Sequence, residues 1–161
     1  MAVDVFLKIE GIKGESTDDQ HKDEIEVLSY SWGATQSGTM ATGGGAGAGK
    51  VQFQDLHFTS SVSKASPLLF LGCATGEHIK EATITVRKAG GQQQDYLIIK
   101  LNDVLVSSYQ AGGSSGSDAV PTDQISMNYA KIEFTYKPQK ADGTLAGDVR
   151  AGWDLKLNKK I

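Results

Sequence analysis

The chain has 161 residues, of which 39% are hydrophobic and 22% charged, with a formal net charge of −3. That length carries one well-buried core and is short for two, so a single domain over residues 1–161 is expected. The 16 Lys and Arg residues are dispersed among 19 Asp and Glu, which leaves no basic face from which to argue nucleic-acid binding.

The opening segment, "MAVDVFLKIEG", places Val3, Val5, Leu7 and Ile9 at a period of two, with Phe6 the exception. That period marks a strand, and the segment has neither the basic leader nor the small-residue cleavage site of a signal peptide. Synthesis in the cytoplasm, and export by a route that needs no cleavable signal, is the expectation. The charged loop "KGESTDDQHKD" follows, and His21 within it is expected to be solvated. A second strand, "EIEVLSYSWGATQ", changes apolar phase from Ile25 and Val27 to Leu28, Tyr30 and Trp32, the slip that a β-bulge produces. Its other face then carries Ser29, Ser31, Gly33 and Thr35, all small and uncharged.

Next comes "ATGGGAGAGKVQF", which contains Gly44-x-x-x-x-Gly49-Lys50, most of a phosphate-cradling loop. The motif needs a following helix whose N–H groups point at the phosphates and a hydroxyl for Mg²⁺. Val51 stands where that hydroxyl belongs, and "KVQFQDLHFT" alternates as a strand, so nucleotide binding is not expected and the glycines read as a long loop. The one helix expected covers residues 67–74, with Ser66 as its cap, Pro67 in its first turn and Gly76 beyond its end. The lone Cys73 in "PLLFLGCA" has no disulfide partner and suits a buried thiol in a reducing compartment. The same run, the longest apolar one, falls far short of the about 20 residues a membrane span requires.

In "EATITVRK", Ala82, Ile84 and Val86 point inward and Thr83, Thr85 and Arg87 outward, and "AGGQQQ" is a turn. Two long strands, "DYLIIKLNDVLVSSY" and "DQISMNYAKIEFTYK", each change phase midway, as barrel strands or those of a tightly folded sandwich do. The tail holds a turn and a short strand around Trp153 and Leu155, and Trp32 and Trp153 are candidate core anchors. No catalytic constellation emerges. His21, His57 and His78 lie far apart, one cysteine cannot complete a thiolate metal site, and Asp55, Asp95 and Asp103 cannot be paired. His57 suits a surface or interface position, and no cofactor or metal is expected.

The segments "MAVDVFLKIEGIKGES", "LSYSWGATQSG", "GGGAGAGKVQFQDLHFTSSVSKASP", "ATITVRKAGG", "YLIIKLNDVLVSS" and "YKPQKADG", in this order, resemble the haemolysin-co-regulated protein (Hcp) family. These are tube subunits of the bacterial type VI secretion system. The closing "GWDLKLNKK" is similar to the family's last strand, whereas loops 17–23 and 114–123 match least. The resemblance implies a mainly β fold: a β-barrel of two packed antiparallel sheets, one lateral α-helix and a long loop between the second and third strands. It further implies a homohexameric ring, stacked rings, a spike protein at the tip, a contractile sheath outside and small effector proteins in the channel. Carried onto this sequence, Ser31 and Ser29, with Thr35 and Ser114, become the effector-binding lumen. Gly44, Gly45, Gly47 and Gly49 of the long loop, with Gly90 and Lys156, become ring-stacking positions. The alternation of small polar residues by itself also suits an ordinary solvent-facing strand. With the chain ending at Ile161, no fused C-terminal effector domain is expected. Two other classes stay open: a monomeric β-sandwich binding module for a carbohydrate or protein ligand, and, with less support, a small β-barrel enzyme.

Overall fold

The computed structural model describes residues 2–38, 49–88, 93–116 and 119–161. The strands are β1 (Val3–Ile9), β2 (Ile25–Ser31), β3 (Ala34–Gln36), β4 (Val51–Phe53), β5 (Leu56–Ser61), β6 (Ile79–Lys88), β7 (Asp95–Gly112), β8 (Thr122–Tyr136), β9 (Val149–Asp154) and β10 (Lys159–Lys160), with helix α1 (Ser66–Thr75) between β5 and β6. All strand pairs are antiparallel, in the order β8-β5-β2-β1-β6-β7, and β7 pairs back onto β8 to close a six-stranded barrel. Closure leaves these strands no free edge. β9 and β10 extend the sheet from the C-terminal half of β8, and β3 and β4 form a separate hairpin.

The barrel is filled by one apolar cluster that includes Leu7, Leu56, Ile84, Ile99, Leu101 and Met127, each essentially inaccessible to water. Inward residues follow the expected period, and the phase changes fall where the strands bend. Leu101 lies opposite Ile132 and Val104 opposite Tyr129, so β7 and β8 turn over at the same level. There Asp103 takes a left-handed conformation, φ 52. Trp32 and Trp153 are half-buried and pack against the rim of the core.

Several expectations are corrected. The bulge in β2 lies between Val27 and Ser29, one residue away from the assumed slip, so Leu28 points outward and is 63% exposed. The expected single strand breaks after Ser31, and β3 leaves the barrel to pair with β4. The long loop therefore joins β3 to β4, and its residues 39–48 lie outside those described. Ser66 is not the helix cap: Ala65 occupies that position without a side-chain bond, and Ser66 instead donates to the buried Asp123. The helix ends as expected, Gly76 closing it with φ 68 and an N–H to Gly72 O. Because a Cβ resists that conformation, Gly76→Ala is expected to destabilise the protein by about 1 kcal/mol, measurable by denaturant titration. Cys73 is half-buried against the core rather than enclosed in it.

Arg87 and Thr85, assigned outward, are both buried, and so is His21. The connection between β1 and β2 folds against the outer wall of the barrel over β1 and β6 and covers Arg87. Arg87 forks onto Asp18, Nη1 to Oδ1 at 2.8 Å and Nη2 to Oδ2 at 2.6 Å, and reaches Asp4 at 3.5 Å. Its guanidinium carbon lies 4.9 Å from the Phe6 ring centroid, while the His21 ring stacks on Phe6 at 4.4 Å and 7°. His21 also bonds Glu24 (Nδ1, 2.9 Å) and Asp95 (Nε2, 3.2 Å). This stack explains why Phe6 broke the alternation of β1: it fills the space between the barrel wall and that connection.

Candidate functional site

Antiparallel pairing brings one polar surface together from four strands. Ser31 of β2 lies opposite His57 of β5, His57 opposite Ser126 of β8, and Ser126 opposite Ser108 of β7. The next outward row is Ser29, Thr59, Gln124 and Gln110 in the same strand order. Between the rows Tyr30, Phe58, Ile125 and Tyr109 face the barrel interior, because successive residues alternate sides. The outer face is thus built of hydroxyls, side-chain amides and one imidazole. Neither row contains Lys, Arg, Asp or Glu.

Ser126 is buried at the centre of this surface because β7 carries a bulge between Val106 and Ser108. The extra residue lets Ser107 and Ser108 both approach the Ser126 hydroxyl, Ser107 at 2.7 Å. Ser107 also donates to Asp55 Oδ2 at 2.6 Å, and Asn128 Nδ2 donates to Asp55 Oδ1 at 3.0 Å. Tyr129, whose hydroxyl donates to Gln54 O, is pushed up to about 12, chiefly by burial with Asp55 adding to it. Among the described residues His57 makes no bond to a serine, so no imidazole is positioned as the base for a serine hydroxyl. Among the same residues no group of three His, Cys, Asp or Glu is placed to hold a metal ion.

Ser29 and Ser31 therefore sit together on the face and are exposed. Thr35 is exposed but belongs to the β3–β4 hairpin, opposite Gln52, and Ser114 is exposed in the β7–β8 connection. Sequence reasoning missed His57, Gln124, Ser126, Ser108 and Gln110 as parts of this face. The available signal was the polar alternate set of each strand, but only the register joins the sets.

Of the stacking candidates, Gly44, Gly45, Gly47 and Gly90 lie outside the described residues. Gly49 is half-buried at the base of the small hairpin, where a Cβ would overlap the Ser37 hydroxyl. Lys156 is exposed in the β9–β10 turn, its Nζ 4.0 Å from Asp103 Oδ2. Asp103 in turn pairs with His78 Nε2 at 2.8 Å, and this bond, aided by Lys156, holds its carboxyl below the ordinary range. The group stands at the Ile79 end of β6, where Ile79 faces Val104. Lys88 marks the opposite end of that strand.

The sequence and its closed β-barrel match a family of secretion proteins. A family model described as "Type VI secretion system effector, Hcp" matches residues 6–136. The chain is 51% identical over 160 residues to "Protein hcp1" of Pseudomonas aeruginosa PAO1, covering 98% of each. The fold is similar to Hcp1 from Salmonella typhimurium, with TM-score 0.81 and 36% identity over 100% of both chains. A structure described as that of a type six secretion system protein matches with TM-score 0.94 and 34% identity, over 99% of this chain and 100% of that one. The chain belongs to the Hcp family of type VI secretion proteins. This is a family of structural secretion proteins rather than of enzymes. Among the described residues no helix is long and apolar enough to cross a membrane.

Proposed function

We propose that this chain is a non-enzymatic tube subunit of a type VI secretion system, one domain over residues 1–161 that forms homohexameric rings. Rings stack into the tube, with the spike protein at the tip, the contractile sheath outside and small effector proteins held in the lumen. The protein is made in the cytoplasm and exported without a cleavable signal, with no nucleic acid, membrane insertion or cofactor in its role. The observation that carries this reading is the uncharged outer face across β2, β5, β8 and β7. Such a surface holds a passenger by hydrogen bonds that exchange readily with water, each worth only about 1 kcal/mol net. Ser29 and Ser31 are its lumenal hydroxyls, with Thr35 and Ser114 on flanking elements; Gly49, Lys156 and the glycines at 44, 45, 47 and 90 serve ring contacts.

Light scattering and negative-stain imaging of one purified peak test the assembly. A hexamer mass with open rings is expected, and a monomer at high concentration would overturn the reading. Ser31→Glu is expected to keep the rings and lose retained effector in co-purification; loss of rings would move Ser31 out of the lumen. A second reading, a monomeric ligand-binding module, draws on one observation. Trp32, Phe53, Ile132, Phe134 and Trp153 line an apolar hollow of about 170 Å³. Binding in a glycan screen by a monomeric sample would favour it.

A further inference from the structure

We propose that the depression around His57 is a carboxylate-binding subsite whose strength is set by protonation of that residue. The inference rests on the effector-facing role given to this surface. The depression, about 280 Å³, is lined by His57, Thr59, Ser108, Gln110 and Gln124, with the backbone at Phe58 and Ile125, whose side chains are buried on the core side, as its floor. Every polar side chain in it is a potential donor: an imidazole, two hydroxyls and two carboxamides. Ser108 is tied to Ser126. Among the described residues the side chains of His57, Thr59, Gln110 and Gln124 enter no hydrogen bond or ion pair, so these donors are unspent.

The charges that could face His57 are few. β2 presents Ser29 and Ser31, β8 presents Gln124 and Ser126, and β7 presents Ser108 and Gln110. β5 adds Asp55, two residues before His57, whose oxygens are taken up by Ser107 and Asn128. With no cation in the hollow, an anionic ligand finds only neutral donors while the imidazole is uncharged. Imidazole is the side chain whose charge changes between about pH 5 and 8, and a charge-assisted bond is roughly twice as strong as a neutral one. The ligand class that gains is a carboxylate, an Asp or Glu side chain on an effector's surface. One accepting group with two oxygens matches an imidazolium on one side and the Gln110 and Gln124 amides on the other. Effector grip thus strengthens in mildly acidic medium and weakens in mildly basic medium.

The test is fluorescence anisotropy of a rhodamine-labelled hexaglutamate peptide on the full chain, at about pH 5.5 and about pH 8. Saturable binding is expected at the lower pH, weaker on the order of tenfold at the higher. A labelled hexaglutamine peptide is expected to show no such change. His57→Gln is expected to bring hexaglutamate binding down to its high-pH level at both values, and Gln110→Ala to weaken it at both. No saturable binding at the lower pH, or an unchanged pH response in His57→Gln, would overturn the subsite. Light scattering on the same samples separates the two ideas. Rings that ignore the peptide remove the subsite alone, whereas a monomer that binds it removes the tube role and keeps the subsite.

Discussion

Arg87→Met is expected to lower unfolding free energy by about 2 kcal/mol, the cost of removing the buried partner from a forked ion pair whose carboxylate is part-exposed. Arg87 is 2% exposed, and methionine keeps most of its apolar stem over Phe6 while deleting both bonds to Asp18. For a chain of this size that corresponds to a fall in Tm of roughly 4–8 °C. The pH response carries the same signature. Hydrogen bonding from Arg87 holds the Asp18 carboxyl well below the usual carboxylate range, with burial opposing it. A depressed folded-state pKa contributes stability that is fully present above the unfolded value, about 3.9, and is lost as pH falls below it. The parent should therefore lose stability between about pH 4 and the acid limit more steeply than the variant. Parallel acid-unfolding curves for the two would refute the pairing.

Asp123→Ala is expected to cost about 2–3 kcal/mol, since bonds to a charged acceptor are worth more than neutral ones. Asp123 is 1% exposed and forms no ion pair among the described residues; it is held by the Ser66 hydroxyl of α1 and by Tyr109 OH at 2.7 Å. Burial, with the bond to Asp123 as a second cause, pushes the Tyr109 hydroxyl up. The carboxylate thereby ties the first turn of α1 to β8 and β7. Its loss should loosen the helix before the barrel, so Cys73, half-buried on α1, should react faster with a thiol reagent while barrel amides stay protected from exchange. Asp123→Asn, which retains an acceptor, should give about half the effect. Equal loss of protection throughout the molecule would show that the tether is not local.

The strands were legible because one face of each is apolar, which suits a barrel or a sandwich alike until the family resemblance chooses, and Ser29 and Ser31 stood out because alternation needs no partner to be seen. Gly76 ended the helix in the sequence and in space for the same local reason. Leu28 was misplaced because a phase slip locates a bulge only to within a residue, and only pairing with β5 decides which residue turns out. Arg87 and His21 were misread for a different cause. Period and polarity put them outside, yet Asp18 and Asp95, far away in sequence, close over them. The row through His57 was invisible because its members come from four strands, and a sequence does not print register.

β1 sits between β2 and β6, with its ladder to β6 running from Val3 to Ile9. The last strand, β10, holds to the sheet by Lys159 and Lys160 against β9 alone. A load drawing the two chain ends apart thus meets very different resistance at each. The N-terminal strand is held along its length by β6 and at Phe6 and Leu7 by β2 as well, whereas the C-terminal strand has only two paired residues to give up. Under tension the molecule should fray at its tail and keep its closed wall.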